Sequence, residues 1–506
     1  MIGRLLPHST LSPIVKSSLA LGVLTILCKI LGYGEKLVLA YYFGTSYEVD
    51  VYNVVIAMAI SVFILFRELI EPGFLHVFLR AFHHEDKASS WQLFRFFFLL
   101  IMLLTVAFSV ICMLFSGEVM HIFAPGFSAE KAELAASMLQ IVIPAAIFLS
   151  LSALTNITLN ALKSFAMPML GEVLFKLVVL ACLFAFYHTS GIFSIAIGFL
   201  VGAFVKLAFH LFLLYKPIVI ARSEHIGKHL REVWRLTWPL LVGVAFSQVS
   251  TLVDNIFASY QQEGAISALN YAKKLVDLPV LVFPYILSVV VFPYFSQLSI
   301  IKEHKKLADL FSKSLAWILV VFLPLALFFY MFSYELTAVA LQRGAFTADS
   351  TTLTSVPLKY YALGMVFFAI ETILVIFYFA NADTKTPIFI GILTVLENIL
   401  LTVIFLRIFG YAGIALSLVV AKATKNIVLL LLLKKMMSID FRSVFVFLGK
   451  VGAAFVLTAL GMFLLKDVFA DVAHTSTLLF LMCIFSVSTV CYALCLYVFK
   501  LREDLF

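Results

Sequence analysis

Long apolar runs separated by short polar gaps dominate the chain. Fourteen of them reach membrane-spanning length, for which a helix needs roughly 20 mostly apolar residues. They cover residues 14–43, 50–81, 91–115, 133–162, 168–188, 192–215 and 232–258, then 269–297, 308–333, 355–382, 386–408, 411–435, 443–465 and 474–499. The runs are continuous rather than alternating, which predicts helices and argues against a β-barrel. The expected fold is an all-α polytopic membrane protein with little mass outside the bilayer. Composition agrees: the 506 residues are 63% hydrophobic and 13% charged, against about 25% charged in soluble domains. The opening residues MIGRLLPHSTLSPIVKSS lack the charged, apolar and small-residue order of a cleaved signal and read as a short amphipathic lead-in.

Charge then orients the helices. Arg80 and Lys87 lie in gap two, and Lys216, Arg222, Lys228, Arg231 and Arg235 in or beside gap six. Lys302, Lys305 and Lys306 follow in gap eight, Lys434, Lys435 and Arg442 in gap twelve, and Lys500 and Arg502 at the C-terminus. The odd gaps hold few cations. Short cytoplasmic loops collect Lys and Arg, so both termini are expected in the cytoplasm. The net charge of +8 belongs to these flanks and does not indicate nucleic-acid binding. The six cysteines lack metal-ligand spacing and read as buried small hydrophobes.

Two pairs of segments echo each other: Tyr41–Val55 with Ile256–Ala272, and Ser152–Pro168 with Ile373–Ile388. Six predicted helices separate the equivalents. An even number keeps both copies in one orientation, as in transporters built from parallel repeats. The expected organisation is an interfacial N-terminus (1–13), a first lobe of helices 1–6 (14–215), a linker (216–231) and a second lobe of helices 7–12 (232–435). Two appended helices (443–499) and a cytoplasmic tail (500–506) complete it.

Charges inside membrane helices are costly and mark functional positions or ion pairs. Lys29 and Lys36 fall on one face of the first helix, with Glu35 between them and Gly32 and Gly34 able to permit a bend. The second helix carries Asp50, Asn53, Arg67, Glu68 and Glu71, the Arg67–Glu71 spacing suiting an i,i+4 pair. Glu172 and Lys176 have the same spacing. Lys206, Asp254, Lys273, Lys274, Asp277, Glu371, Glu397 and Asn398 lie in later helices. Lys422 and Lys425 read as snorkelling or structurally paired. Lys29, Lys36, Arg67 and Lys274 come from the first two helices of each lobe, and cations there suit a pyrophosphate-type anion. No GxxxxGK[ST] phosphate loop occurs. A membrane potential, a monovalent-cation gradient or a partner is left as the energy source, with no cofactor.

Several stretches carry a specific resemblance: LCKILGYGEKLVLAYYFGTSYEVDVYNVV, FAPGF, PAAIFLSLSALTNITLNAL, DNIFASYQQEGAISALNYAKKLVDLP, LQRGAFTADST, FYFANADTKTP and GYAGIALSLVVAKATKN. In order over about residues 14–430, they resemble the MurJ/MviN family of bacterial lipid II flippases, within the superfamily of multidrug antiporters and polysaccharide flippases. The resemblance implies fourteen helices in two lobes around a cationic cavity. It implies alternating access that turns over an undecaprenyl-pyrophosphate-linked glycan in the bacterial inner membrane, with membrane lipids and cell-wall synthesis proteins as partners and no covalent chemistry. Residue by residue, it carries the family's cationic positions onto Lys29, Arg67 and Lys274 and its acidic position onto Asp50, and the cation that some members bind onto Asp254, Glu397 and Asn398. With Lys36 added from its place on the face of Lys29, the expected substrate contacts are Lys29, Lys36, Arg67 and Lys274, and Glu35, Asp50 and Glu71 are read as charge-pairing or gating residues.

The first helix departs from the family pattern Ser-Arg-x-Leu-Gly-x-x-Arg-Asp. Lys29 replaces the first arginine and Glu35 the second. With Lys36 adjacent, Glu35 is expected to neutralise it, and Glu35→Arg to restore a family-like charge. Other readings of the same sequence are a lipid-linked polysaccharide exporter, a drug/cation antiporter and a membrane scaffold without transport.

Overall fold

The computed structural model describes residues 13–84, 87–220, 226–433, 441–468 and 476–498. Residues 1–12 of the N-terminal lead-in lie outside the described residues, as do Arg222, Lys434, Lys435, Lys500 and Arg502, which carry part of the orientation argument. Within them the chain is helices and turns alone. The helices are α1 (Pro13–Phe43), α2 (Tyr47–His84), α3 (Lys87–Leu114), α4 (Ser116–Phe123), α5 (Ala129–Val142), α6 (Ala145–Ala161), α7 (Ala166–Ser190) and α8 (Phe193–Ile220). They continue as α9 (Ile226–Ser259), α10 (Ala265–Ile300), α11 (His304–Met331), α12 (Ser333–Leu341), α13 (Ala348–Ala380), α14 (Lys385–Phe409), α15 (Ala412–Leu433), α16 (Phe441–Val468) and α17 (Thr477–Val498). Among the described residues ten helices are long and apolar enough to cross a membrane, or eleven if the bent pair α5–α6 counts as one span. The protein is therefore an all-α polytopic membrane protein.

Packing divides the chain into two compact units. The first comprises residues 1–39 and 51–248. Here α7 lies along α8, α8 along α6, and α6 along α3. Lipid offers little hydrophobic drive for helix association, so small residues that allow close approach matter more. The GFLVG segment of α8 supplies them. A Cβ on Gly198 would sit 2.9 Å from Cys182 Cβ, and one on Gly202 would sit 2.9 Å from the Phe175 carbonyl oxygen. Phe74, Val77, Phe78, Trp91, Phe94 and Leu154 form the buried centre shared by α2, α3 and α6.

The predicted fourth span, 133–162, is the pair α5–α6, bent by 41°. Pro144 stands at the break. It cannot donate the helical hydrogen bond, and its ring crowds the preceding turn. The polar gap before this pair also contains a short helix, α4, capped off by Ala124 N–H on the Met120 carbonyl.

The second unit comprises residues 40–50 and 249–506. α13 lies at its centre, against α10, α11, α12 and α15. α16 and α17 pack on each other and on α11 through Ala316, Val320, Val451, Ala454 and Tyr492, and through Phe328, Met462 and Phe480. α13 begins earlier than the apolar run because Thr347 caps it, its hydroxyl accepting the Ser350 N–H at 3.4 Å. α10 also begins early, at Gly264, whose φ of +80° a side chain would oppose.

The turns of the two units match in detail. α6 and α13 both end with a 6→1 bond, from Ser164 N–H to the Leu159 carbonyl and from Asp383 N–H to the Tyr378 carbonyl. Lys163 and Ala382 occupy the left-handed position, each at φ 60°. α7 and α14 both end in a glycine at positive φ, Gly191 at 52° and Gly410 at 58°. Ser128 caps α5 as Thr347 caps α13.

Candidate functional site

The charges predicted inside the helices are held in distinct clusters, each within one unit. In the first, Lys29 is exposed on α1. One turn pair further, Lys36 is half-buried, its Nζ 3.5 Å from Asn53 Oδ1 and 5.3 Å from the Tyr52 ring centroid. Glu35 does not turn towards Lys36. Successive helix residues point about 100° apart and do not face each other, so Glu35 is 4% exposed and binds Lys176 Nζ of α7 at 2.5 Å. The sequence set Glu35 against Lys36; the structure gives its carboxylate the Lys176 ammonium.

The Lys176 ammonium makes its hydrogen bond to Glu35 while staying within electrostatic reach of Glu172. That carboxylate instead bonds Lys206 of α8, which is fully buried and also lies over the Phe63 ring. The expected i,i+4 pair Glu172–Lys176 is thus replaced by two pairs between helices. Beside them the His210 ring holds the Thr155 hydroxyl at 2.9 Å through Nδ1, while its Nε2 fills the space that a side chain at Gly171 would need. Arg67 and Glu71 do form the i,i+4 pair, at 3.6 Å, with both side chains exposed.

In the second unit Asp50 serves as a cap. One carboxylate oxygen accepts the Gly264 N–H at 2.7 Å, and the other accepts the Ser267 N–H at 2.8 Å and its hydroxyl at 2.6 Å. A negative charge at a helix N-terminus satisfies donors that have no intrahelical partner and is favoured by the helix dipole. The Asp50 carboxylate therefore ties the α1–α2 turn to the start of α10. Tyr47 N–H donates to Glu263 at 3.2 Å, and the Thr45 and Ser350 hydroxyls meet at 2.8 Å. Lys274 lies on α10, exposed like Lys273.

Of the expected cation ligands, Asp254 and Asn398 meet: Asn398 Nδ2 donates to Asp254 Oδ1 at 3.1 Å. Asn398 Oδ1 is buried without a partner among the described residues. Glu397 is half-buried on the same helix, pointing about 100° away from Asn398 by helix geometry. No group of three or more His, Cys, Asp or Glu residues able to hold a metal occurs among the described residues.

One cluster was not anticipated as a unit. Glu371 of α13 accepts from Lys422 at 2.9 and 2.8 Å and from Lys425 at 2.5 Å, both lysines on α15. Lys422 and Lys425 have i,i+3 spacing, which places them on one helix face. That spacing was visible in the sequence; their shared carboxylate was not.

A family model described as lipid II flippase MurJ matches residues 39–484. The probable lipid II flippase MurJ of Vibrio cholerae is 29% identical over 80% of each chain. That of Buchnera aphidicola subsp. Schizaphis graminum is 27% identical over 81% of each. Among solved structures, the lipid II flippase MurJ in an inward closed conformation superposes with a TM-score of 0.81 at 24% identity, covering 96% of this chain and 99% of the other. An inward-facing multidrug resistance MATE family transporter of the MOP superfamily gives 0.70 at 14% identity, covering 83% and 98%. These two likenesses concern the fold. With the family model spanning most of its length, the chain belongs to the lipid II flippase MurJ family.

Proposed function

We propose that this protein turns lipid II from the inner to the outer leaflet by alternating access, without covalent chemistry. The observation that carries this reading is the match of the family model over residues 39–484 of an all-α polytopic chain. Lys29, Lys36, Arg67 and Lys274 hold the pyrophosphate. The sugars and peptide cross in a wet cavity while the polyprenyl tail stays in lipid, since burying a hydrated headgroup in hydrocarbon is expensive. Glu35, Asp50 and Glu71 act through the contacts they make to Lys176, to the start of α10 and to Arg67. Asp254, Asn398 and Glu397 take a monovalent cation, which with the membrane potential supplies the energy.

The proposed frame has fourteen spans: lobes at 14–215 and 232–435 joined by 216–231, and two further helices within 443–499. The 1–13 lead-in and the 500–506 tail are both cytoplasmic. The matched turns at Lys163 and Ala382, and at Gly191 and Gly410, support a parallel repeat. Product lipid is taken up by cell-wall synthesis proteins on the outer face.

The test is complementation of a bacterial strain depleted of its own lipid II flippase. Growth with lipid II restored to the outer leaflet is expected. No rescue by protein that is present and folded in the membrane overturns the reading in favour of a polysaccharide precursor.

A further inference from the structure

The cluster around Glu371 is chemically incomplete in a way its counterpart in the first unit is not. Lys425 lies as far beyond Gly410 as Lys206 lies beyond Gly191, two turn glycines of like backbone conformation. Counted back from the same glycines, Glu172 of α7 corresponds to Gly391 of α14. In the first unit Glu172 closes on Lys206. In the second, a Cβ at Gly391 would have Lys425 Nζ, 3.8 Å away, as its nearest neighbour. The carboxylate that α7 aims at its lysine is missing from α14, and the position it would fill is left to whatever else carries negative charge.

Glu371 compensates only in part. It is one carboxylate facing two ammonium groups, and each ammonium has three donors. Among the described residues neither Lys422 nor Lys425 has another hydrogen bond beyond those to Glu371. The cluster thus holds one excess positive charge within the candidate spans Ala348–Ala380 and Ala412–Leu433. An uncompensated charge in a membrane span is costly, and two ammonium groups fixed by a shared carboxylate are pre-organised to take an anion. Lys422 remains 28% exposed at its side chain and Lys425 11%, so the site is reachable.

We propose that Lys422 and Lys425, held by Glu371 opposite Gly391, bind a small anion that takes the place Glu172 fills beside Lys206. The ligand chemistry is a halide or a phosphate oxygen, either free or carried by a lipid. The site is independent of which lipid the protein transports.

The test uses the purified full-length protein in detergent, melted at constant ionic strength in sodium chloride, sodium bromide, sodium pyrophosphate or sodium gluconate. The wild type is expected to gain a few degrees in every anion except gluconate, saturating with concentration. Gly391→Glu supplies the missing carboxylate from the protein itself and is expected to abolish the response to chloride and bromide, the anions that do not share the pyrophosphate chemistry proposed for Lys29, Lys36, Arg67 and Lys274. Lys422→Gln removes the excess charge and is expected to do the same, should the glutamate variant fail to fold. A pyrophosphate response that arises at roughly tenfold lower concentration than that of chloride and is lost in Gly391→Glu assigns the site to phosphate oxygens, and a pyrophosphate response unchanged in that variant assigns it to halide. A wild type that melts alike in all four salts overturns the proposal. So does a halide response that survives in both variants.

Discussion

A carboxylate buried in a membrane helix persists only with a partner, and for Glu35 that partner is Lys176. Removing one member of such a pair leaves the other charge stranded, at a cost of about 3–5 kcal/mol, whereas removing both can be nearly neutral. Glu35→Gln and Lys176→Gln are each expected to lower the melting temperature, and the double variant to recover most of the loss in a thermal double-mutant cycle. Equal, additive losses would show that the two do not act as a pair. Glu35→Arg restores a family-like charge only on paper. It sets a guanidinium against Lys176, and the expected outcome is less folded protein by size-exclusion fluorescence. Asp50 makes a different kind of contact. Asp50→Ala removes a charged acceptor, at about 1.5–3 kcal/mol for a hydrogen bond to a charged group, and the Gly264 and Ser267 amides should then exchange hydrogen faster while amides at the far end of α10 do not. The sequence made both carboxylates visible and could name the partner of neither, because those partners lie in helices distant in the chain.

Between helices the decisive contacts are made by absence. Gly202 lets α8 approach α7 until the Phe175 carbonyl lies where a side chain would stand. Backbone cannot yield as a flexible side chain can. Gly202→Val is therefore expected to cost about 1–3 kcal/mol or more, read as a lower melting temperature. Gly117, with open space around its Cβ position, serves as the control, and Gly117→Ala should melt like the wild type. Hydropathy alone located the ten candidate spans and the bent pair found among the described residues, since length and apolar content are summed over many residues. It could not locate the break at Pro144. Proline is tolerated in membrane helices, and α10 runs unbroken as a helix through Pro279, Pro284 and Pro293. Nor does hydropathy weigh the GFLVG spacing in α8, where two small residues four apart allow close approach, and nothing in that spacing names α7 as the partner.

For the molecule as a whole, orientation is the property most open to direct measurement. Single cysteines placed in residues 116–132 and 340–352 of a cysteine-free background are expected to react with an impermeant reagent from outside the cell. Labelling from the cytoplasmic side alone would reverse the topology. The alternation of Lys and Arg between gaps is the sequence feature from which that orientation is proposed, because each loop's charge acts on its own helices. The division into packed units was beyond it. Residues 40–50 belong with a unit that otherwise starts at 249, and only three-dimensional packing reveals that membership. The repeated segments fared better: Ser152–Pro168 and Ile373–Ile388 contain turns of the same hydrogen-bond pattern.

The ion pairs of the first unit also bear on how the chain is made. Lys206 and Glu172 are 34 positions apart on adjacent helices, so they leave the ribosome close together and can enter the bilayer as a hairpin with their charges already matched. Glu35 must wait for a lysine 141 positions later. Until α7 is synthesised, α1 carries this carboxylate without the lysine that binds it in the folded protein, and acidic residues are disfavoured in inserting helices. A defect at Lys176 would then surface first during biogenesis, as newly made chains cleared by membrane proteases, before any finished protein had the opportunity to work poorly.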